Sequence, residues 1–514
     1  MKEEFFGIDP RTGRSSGELF TDSTREEIDE KIIKASKSFD AFSSLSRNKR
    51  AGFLRAVSSE IKDLGKELLE TADRETALGH RRLRGEMNRT CNQLVSFADH
   101  IEEGSYQEVV IDTGDPNRFP APEPDIRRML FPIGPVAIFG ASNFPFAFGV
   151  LGGDTASALA AGCTVVVKGH PSHPETNELF LSAVERAVDE TGIPDGVFSL
   201  VQGVGNEVGE ELVMHPLIKA VGFTGSRRGG MSLFGKASAR DEPIPFYAEM
   251  GSINPVIVTR EAVSKDPASV AVKVAGAVLH GSGQLCTKPG LVLVEEAPGL
   301  ETFKEALENR MRSDRCQPLL NHKVRENLEE GLGKLSGIEG IEMAGGGKVR
   351  DENSITFENT LITASSEIFR REPLLHEERF GPVTLVVGCK GREDLLKTVE
   401  CLEGQLTGTV MNTGEDDVED ILRALTKKVG RVILNGVPIG VEVNHSMQHG
   451  GPFPATTAPW TTSVGMMSIK RWLRPVAFQN VEERYLPDEL NDDNPTGIMR
   501  IVDGEYTRKA LRSR

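Results

Sequence analysis

Two kinds of apolar spacing follow one another along this chain. Over Thr24 to Phe42 and again over Arg47 to Leu69, apolar residues recur every three or four positions, with Ser23 and Thr24 heading the first run. That period marks helices with one buried stripe, so the chain up to residue 106 reads as mainly helical. From Gln107 to Ile133 the pattern breaks into alternating EVVID, prolines at 116, 120, 122 and 124, and then RRMLFPIG. Alternation interrupted by proline predicts a hairpin or arm rather than a core element.

From Gly134 short apolar runs take turns with helical stretches. VAIFG, TVVVKG, VFSLVQG and AVGFTG are separated by helical patterns at Ala156 to Ala161, Thr176 to Thr191 and Glu207 to His215. A second alternating region opens with PVIV after Asn254. It runs through a helix at Ser269 to Leu279, the LVLV strand, helices at Phe303 to Met311 and Lys323 to Leu335, and strands at Leu385 to Val387 and Val432 to Asn435. Strand–helix alternation builds a parallel sheet covered by helices, so the predicted class is α/β with two such sheets. Ligands of these sheets bind beyond the carboxyl ends of the strands. The tail after Leu486, rich in Asp and Glu, reads as polar and partly loose.

Composition narrows the picture. A chain of 514 residues exceeds one hydrophobic core, so two or three domains are expected. A net charge of −16 opposes nucleic-acid binding, and RRLR at Arg81 to Arg84 reads as a solvated helix face. No apolar run is long enough to span a bilayer, and MKEEFFGIDP lacks the pattern of a secretory leader. The six cysteines lack metal-site and disulfide spacing, which points to a cytoplasmic protein without a metal and with free thiols.

One of those thiols stands in a distinctive context. Cys286 lies in GQLCTKPG, Glu249 in EMGS and Asn143 in ASNFPF. Together they offer a nucleophile, a general base and an amide that donates to an oxyanion without losing a proton, the set needed to take an aldehyde to an acid through a thioester.

With Lys168 ending TVVVK, FTGS at Phe223 to Ser226 and ERFGP at Glu378 to Pro382, these segments follow the order found in the aldehyde dehydrogenase superfamily. The chain resembles that family from about Phe131 to Arg474. The resemblance implies two Rossmann-like parallel-sheet domains plus an oligomerisation arm. It implies an NAD(P)-binding domain over 1–106 and 134–248 and a catalytic domain over 249–440. The arm would be 107–133 with 475–490, and 441–474 would form a late substrate loop and a helix packed on the cofactor domain. A homodimer or homotetramer follows from such arms.

The resemblance also assigns roles. Cys286 attacks the aldehyde, Asn143 and the Cys286 N–H hold the oxyanion, and Glu249 activates water, provided that burial raises its pKa toward neutrality. Lys168 reaches the adenine ribose, Gly225 and Ser226 face the pyrophosphate from a helix start, Glu378 holds the nicotinamide ribose and Phe380 packs beside the nicotinamide. The usual GxGxxG is absent. NAD-preferring relatives often place a Glu three residues after the lysine, where this chain has Pro171. That removes repulsion against a 2′-phosphate, and His170 and Ser172 could donate to one. The cofactor is therefore NADP or NAD.

For the substrate, KGHPSHP, EPIPFYAEMGSINP and GVEVNHSMQHGGPFPATT resemble the subgroup that oxidises 2,5-dioxovalerate (α-ketoglutarate semialdehyde). An NADP-dependent medium- or long-chain aldehyde dehydrogenase is the alternative, and a non-catalytic binding or structural protein on the same scaffold is the other class. No arginine stands on the helix after Asn143, near Gly153, so a distal carboxylate must be held elsewhere. Thr287, His449, Thr462 and Ser463 are the candidates, whereas Phe144, Phe146 and Phe148 could line an apolar tunnel or belong to the core.

Overall fold

The computed structural model describes residues 3–351, 354–414 and 416–511. The sequence-predicted strand–helix alternation produces two parallel sheets. In the first, the strands Phe198–Val201, Val165–Lys168, Val136–Phe139, Ala220–Thr224 and Phe246–Glu249 lie side by side in that order, all parallel. Their Val- and Ala-rich sequences are buried almost throughout, as strands covered on both faces must be. Helices Gly153–Ala161, Pro174–Thr191, Asn206–Met214 and Arg227–Ser238 connect them.

The second sheet orders Glu342–Gly345, Thr360–Ser365, Val383–Cys389, Leu291–Glu295, Val256–Val258, Gln405–Met411 and Val429–Leu434. All its pairings are parallel except that of Glu342–Gly345 at one edge. A third sheet joins Leu473–Gln479, Ile126–Pro132, Val110–Asp112, Arg500–Val502 and Glu505–Thr507.

The helical start has clear local causes. Thr24 and Glu27 form a reciprocal cap on helix Arg25–Ser43. The next helix runs over Arg47–Thr76, with a non-helical break at Gly65, and the third over His80–Glu103, ending at a left-handed Gly104. Glu75 is buried near the end of the second helix, and its carboxylate accepts from the backbone N–H groups of Glu175 and Thr176 and from the Thr176 hydroxyl. It thereby caps the N-terminus of helix Pro174–Thr191.

Three sequence expectations need correction. Residues 3–23 are not helical: Glu4–Asp9 and Arg14–Thr21 form an antiparallel hairpin around a turn with Gly13 at φ +65°. The signal was present, as alternating EFFGID and a Thr12-Gly13 turn, but the stronger helical period that follows masked it. The tail past Leu486 is folded rather than loose. Leu490 is fully buried, and the Arg500 guanidinium donates to the carbonyls of Asn491, Asp492 and Lys509. The third sheet accordingly extends to Thr507. Finally, Arg82 of the RRLR run is not solvated: it donates to the Asn143 carbonyl at 2.6 Å and lies over the Phe144 ring.

The segment beyond residue 440 returns to the first sheet. Thr456 bridges to Glu249, the Met250 N–H bonds to the Ala455 carbonyl, and the Thr457 N–H bonds to that of Ala248. Farther on, Trp472 is fully buried and its indole N–H donates to Ser157 on helix Gly153–Ala161. Asp154 on the same helix pairs with Arg471 at 2.5 Å.

Candidate active site

The carboxyl ends of the first sheet and the loops of the second enclose a cavity of about 890 Å³. Strand Val136–Phe139 leads into Asn143, strand Ala220–Thr224 into Gly225 and Ser226, and strand Phe246–Glu249 ends on Glu249. All four of these residues line the cavity. Cys286 reaches it from the other side, on the turn that precedes strand Leu291–Glu295. That turn requires glycine. Gly283 has φ +65°, and a Cβ there would lie 2.1 Å from the Gly381 carbonyl oxygen. The turn carrying Cys286 thus touches the ERFGP loop backbone to backbone. Asn254 fixes it from below, donating to the carbonyls of Cys286 and Lys288 at 2.8 and 3.0 Å.

Around the thiol, three ionisable groups converge. His449 Nε2 lies 3.4 Å from Cys286 Sγ and 2.9 Å from Glu249 Oε1. The second approach is an ion-pair distance without hydrogen-bond alignment, since Oε1 makes no hydrogen bond. Glu249 Oε2 instead accepts from the Ser463 hydroxyl. Burial pushes the Cys286 thiol well above its ordinary pKa, and the carboxylates of Glu249 and Glu378 add to this. Glu249 goes the other way: burial raises its pKa, but His449, Ser463 and Arg471 together outweigh burial and hold it below the usual carboxylate value. Its expected rise toward neutrality is therefore not what the structure has. The carboxylate is ionised and the thiol protonated at neutral pH, with the imidazole between them. Donor atoms of the three residues all lie within 4.8 Å of one another, close enough to share a soft metal ion. A thiolate spent on a metal could not serve as a nucleophile.

Asn143 is buried, and its Nδ2 donates to the Gln284 carbonyl at 2.9 Å. An amide nitrogen carries two hydrogens, so one remains for an oxyanion. Of the candidate substrate residues, Phe144 and Phe148 are half-buried and pack edge to face at 5.3 Å, with the Phe148 ring 6.4 Å from that of His449. Phe146 belongs to the core against Phe180. Thr287 is buried and away from the cavity. Thr462 and Ser463 serve the late loop itself: Thr462 Oγ1 accepts from the His449 N–H, the Ser463 hydroxyl donates to Glu249, and the Ser463 N–H donates to the His449 carbonyl. His449 is likewise taken up by Cys286 and Glu249.

Of the remaining candidates, His170, Ser172, Glu378 and Phe380 form part of the cavity wall, whereas Lys168 lies outside it. Ser226 caps helix Arg227–Ser238 through the Gly229 N–H, leaving earlier N–H groups free to face an anion. His170 Nδ1 accepts from the Ser172 N–H, which assigns the ring proton to Nε2 as a donor. Burial, His173 and Lys168 hold this ring well below its ordinary pKa, so it is neutral. Ser172 Oγ accepts from Asn321 and keeps its own hydrogen to donate. Lys168 donates to the Gly203 carbonyl at 2.7 Å, and burial lowers its pKa to about 8. Burial raises Glu378 to about 7, and its carboxylate lies so close to Gly251 that a Cβ there would approach Oε2 to 2.6 Å. Arg227 pairs with Glu403 at the surface. A wall that the sequence did not reveal comes from the N-terminal hairpin, through Glu4, Phe5, Phe6, Ile8 and Ser15.

Comparison with known proteins agrees with this geometry. Residues 2–452 match the aldehyde dehydrogenase family. The chain is 41% identical over 501 residues to alpha-ketoglutaric semialdehyde dehydrogenase 2 of Azospirillum brasilense, covering 97% of this chain and 95% of that one. It is equally 41% identical to alpha-ketoglutaric semialdehyde dehydrogenase of Acinetobacter baylyi, covering 96% and 94%. In fold it is similar to glyceraldehyde-3-phosphate dehydrogenase of Methanocaldococcus jannaschii complexed with NADP, with a TM-score of 0.79 at 22% identity over 94% of this chain and 100% of that one.

Proposed function

The chain belongs to the aldehyde dehydrogenase family, which oxidises aldehydes with NAD or NADP, and on that premise we propose that its substrate is 2,5-dioxopentanoate, oxidised to 2-oxoglutarate. The observation that carries this reading is the 41% identity, over nearly the whole chain, to two dehydrogenases named for that semialdehyde.

The proposed mechanism uses the groups around the thiol. Cys286 Sγ bonds to the aldehyde carbon while its proton passes to His449 Nε2 at 3.4 Å. The ionised Glu249 stabilises the imidazolium that forms. The free hydrogen of Asn143 Nδ2 and the Cys286 N–H hold the oxyanion. The helix start at Ser226, the donors His170 and Ser172 and the Glu378 carboxylate would hold NAD(P), which would supply the hydride acceptor for that carbon. Glu249 then takes a proton from the water that attacks the thioester, the carboxylate product leaves, and the thiol is restored. Net, aldehyde, water and NAD(P)⁺ give carboxylate, NAD(P)H and two protons.

At the cofactor end, His170 Nε2–H, the Ser172 hydroxyl and Asn321 form a set of donors where NAD-preferring relatives often carry a carboxylate. This supports NADP used at least as well as NAD. Among the described residues the outer edge of Leu473–Gln479 is unpaired in its sheet, and pairing between subunits, as a homodimer or homotetramer, would cover it.

The test is kcat/KM for 2,5-dioxopentanoate, succinate semialdehyde, hexanal and decanal with both cofactors. The reading requires 2,5-dioxopentanoate to lead. A chain buried in an apolar tunnel gains about 0.8 kcal/mol per CH₂, so rates climbing from hexanal to decanal, with decanal about tenfold ahead, would instead establish a long-chain enzyme.

A further inference from the structure

With His449, Thr462 and Ser463 taken up around Glu249 and Cys286, the carboxylate at the far end of a semialdehyde lacks a partner among the residues expected from sequence. Arg82 is hydrogen-bonded to Asn143, and Arg89, Arg431 and Arg471 interact electrostatically with Cys286 or Glu249; three of these four arginines are committed. Arg82 holds the Asn143 carbonyl at 2.6 Å. Arg431 donates to the carbonyls of Gly440 and Pro438 at 2.7 and 2.9 Å. Arg471 pairs with Asp154 at 2.5 Å.

Arg89 is different. It sits on helix His80–Glu103, about two turns beyond Arg82 on the same face, with its guanidinium carbon 5.1 Å from the centre of the Phe148 ring. Its Nη2 makes one long bond, 3.3 Å, to the Val441 carbonyl, and its Nη1 is buried without a hydrogen-bond partner among the described residues. A buried guanidinium N–H without a partner is costly, and a planar fork with a spare donor suits a carboxylate. The other face of the arrangement is the reacting centre: Phe148 neighbours the His449 ring, and His449 touches Cys286 Sγ.

We propose that Arg89 binds the distal carboxylate of the substrate, with Phe148 as the floor between that carboxylate and the thiol. The inference rests on the semialdehyde reading above. In an extended five-carbon chain, four C–C bonds of about 1.5 Å set the carboxylate carbon roughly 5 Å from the aldehyde carbon. The charge environment fits. Glu86 and Glu442 are the acidic groups that face Arg89, and neither forms an ion pair with it among the described residues. Glu86 spends one oxygen on the N–H groups of Phe146 and Ala147. Arg89 and Cys286 also act on each other's charge, which places the guanidinium within electrostatic reach of the thiol.

The experiment compares 2,5-dioxopentanoate with pentanal, an uncharged aldehyde of the same length, in the wild type, Arg89→Met and Arg89→Lys. In the wild type the semialdehyde is preferred. In Arg89→Met the ratio of the two kcat/KM values falls about 10- to 100-fold, as expected for loss of a hydrogen bond between charged groups, and the fall lies mainly in KM. Arg89→Lys recovers part of it. Equal losses on both aldehydes mean that Arg89 only supports the fold around Phe148, and an unchanged ratio means that the carboxylate binds elsewhere; either result overturns the assignment while leaving the substrate reading intact. A wild type without preference for the semialdehyde removes the substrate reading and this inference with it.

Discussion

Cys286, His449 and Glu249 divide the proposed chemistry among them, and substitutions can separate their shares. Cys286→Ala is expected to abolish oxidation while cofactor affinity, measured by fluorescence titration, stays close to wild type, because the nucleotide groups sit on other elements. Glu249→Gln should leave a burst of reduced cofactor followed by a slow steady rate in rapid mixing, since the amide fills the space but cannot take the proton of water. The same change has a second reading in the free enzyme. The Glu249 charge helps to raise the thiol pKa, so its removal lowers that pKa and increases the thiolate fraction at pH 8. Iodoacetamide should then alkylate Cys286 several-fold faster than in the wild type. Slower alkylation, with burst and steady phases reduced alike, would give Glu249 another role. The proposed nucleophile, amide and carboxylate could be singled out in the sequence because each stands in a short segment that resembles a family motif. The partnership of His449 with Cys286 could not, because it depends on the pairing of Thr456 with Glu249 across the first sheet, which no local pattern encodes. Arg82 and Arg89 were hidden for a related reason: a run of charges on a helix usually marks a wet face, and here the third helix turns part of it toward Asn143 and Phe148.

Among the elements, helix Arg47–Thr76 has a duty beyond its own packing. Glu75 is a buried acceptor for the first turn of Pro174–Thr191. Glu75→Ala leaves three donors without their partner and should cost about 1–3 kcal/mol, read from urea unfolding followed by circular dichroism. Burial raises the Glu75 pKa to about 7. Between the ordinary carboxylate value and about 7, the folded chain therefore keeps a proton that the unfolded chain gives up. By linkage this group's contribution falls as pH rises through that window. Glu75→Gln, which cannot titrate, should flatten that part of the pH profile, and an unchanged slope would show that Glu75 is ionised throughout. The βα units were legible as elements because their strands are continuous apolar runs between helical periods. The N-terminal hairpin was obscured by composition, since Arg14–Thr21 is exposed at most positions and lacks an apolar face to betray it.

At the scale of the whole molecule, the third sheet gathers strands from residues 110–132 and 473–507 and ends in the unpaired edge of Leu473–Gln479. Light scattering at micromolar concentration should give a dimer or tetramer mass, and a monomer would mean that this edge is protected some other way. The chain also closes its catalytic cluster across 163 residues, from Cys286 to His449. Synthesis at about 5–20 residues per second puts roughly 8–30 s between the two on the ribosome. During that interval the nucleophile exists without the imidazole that would accept its proton. A nascent chain, or one that stalls before residue 449, thus carries the thiol without its proposed proton acceptor, and the assembled cluster arrives only with the last part of the polypeptide.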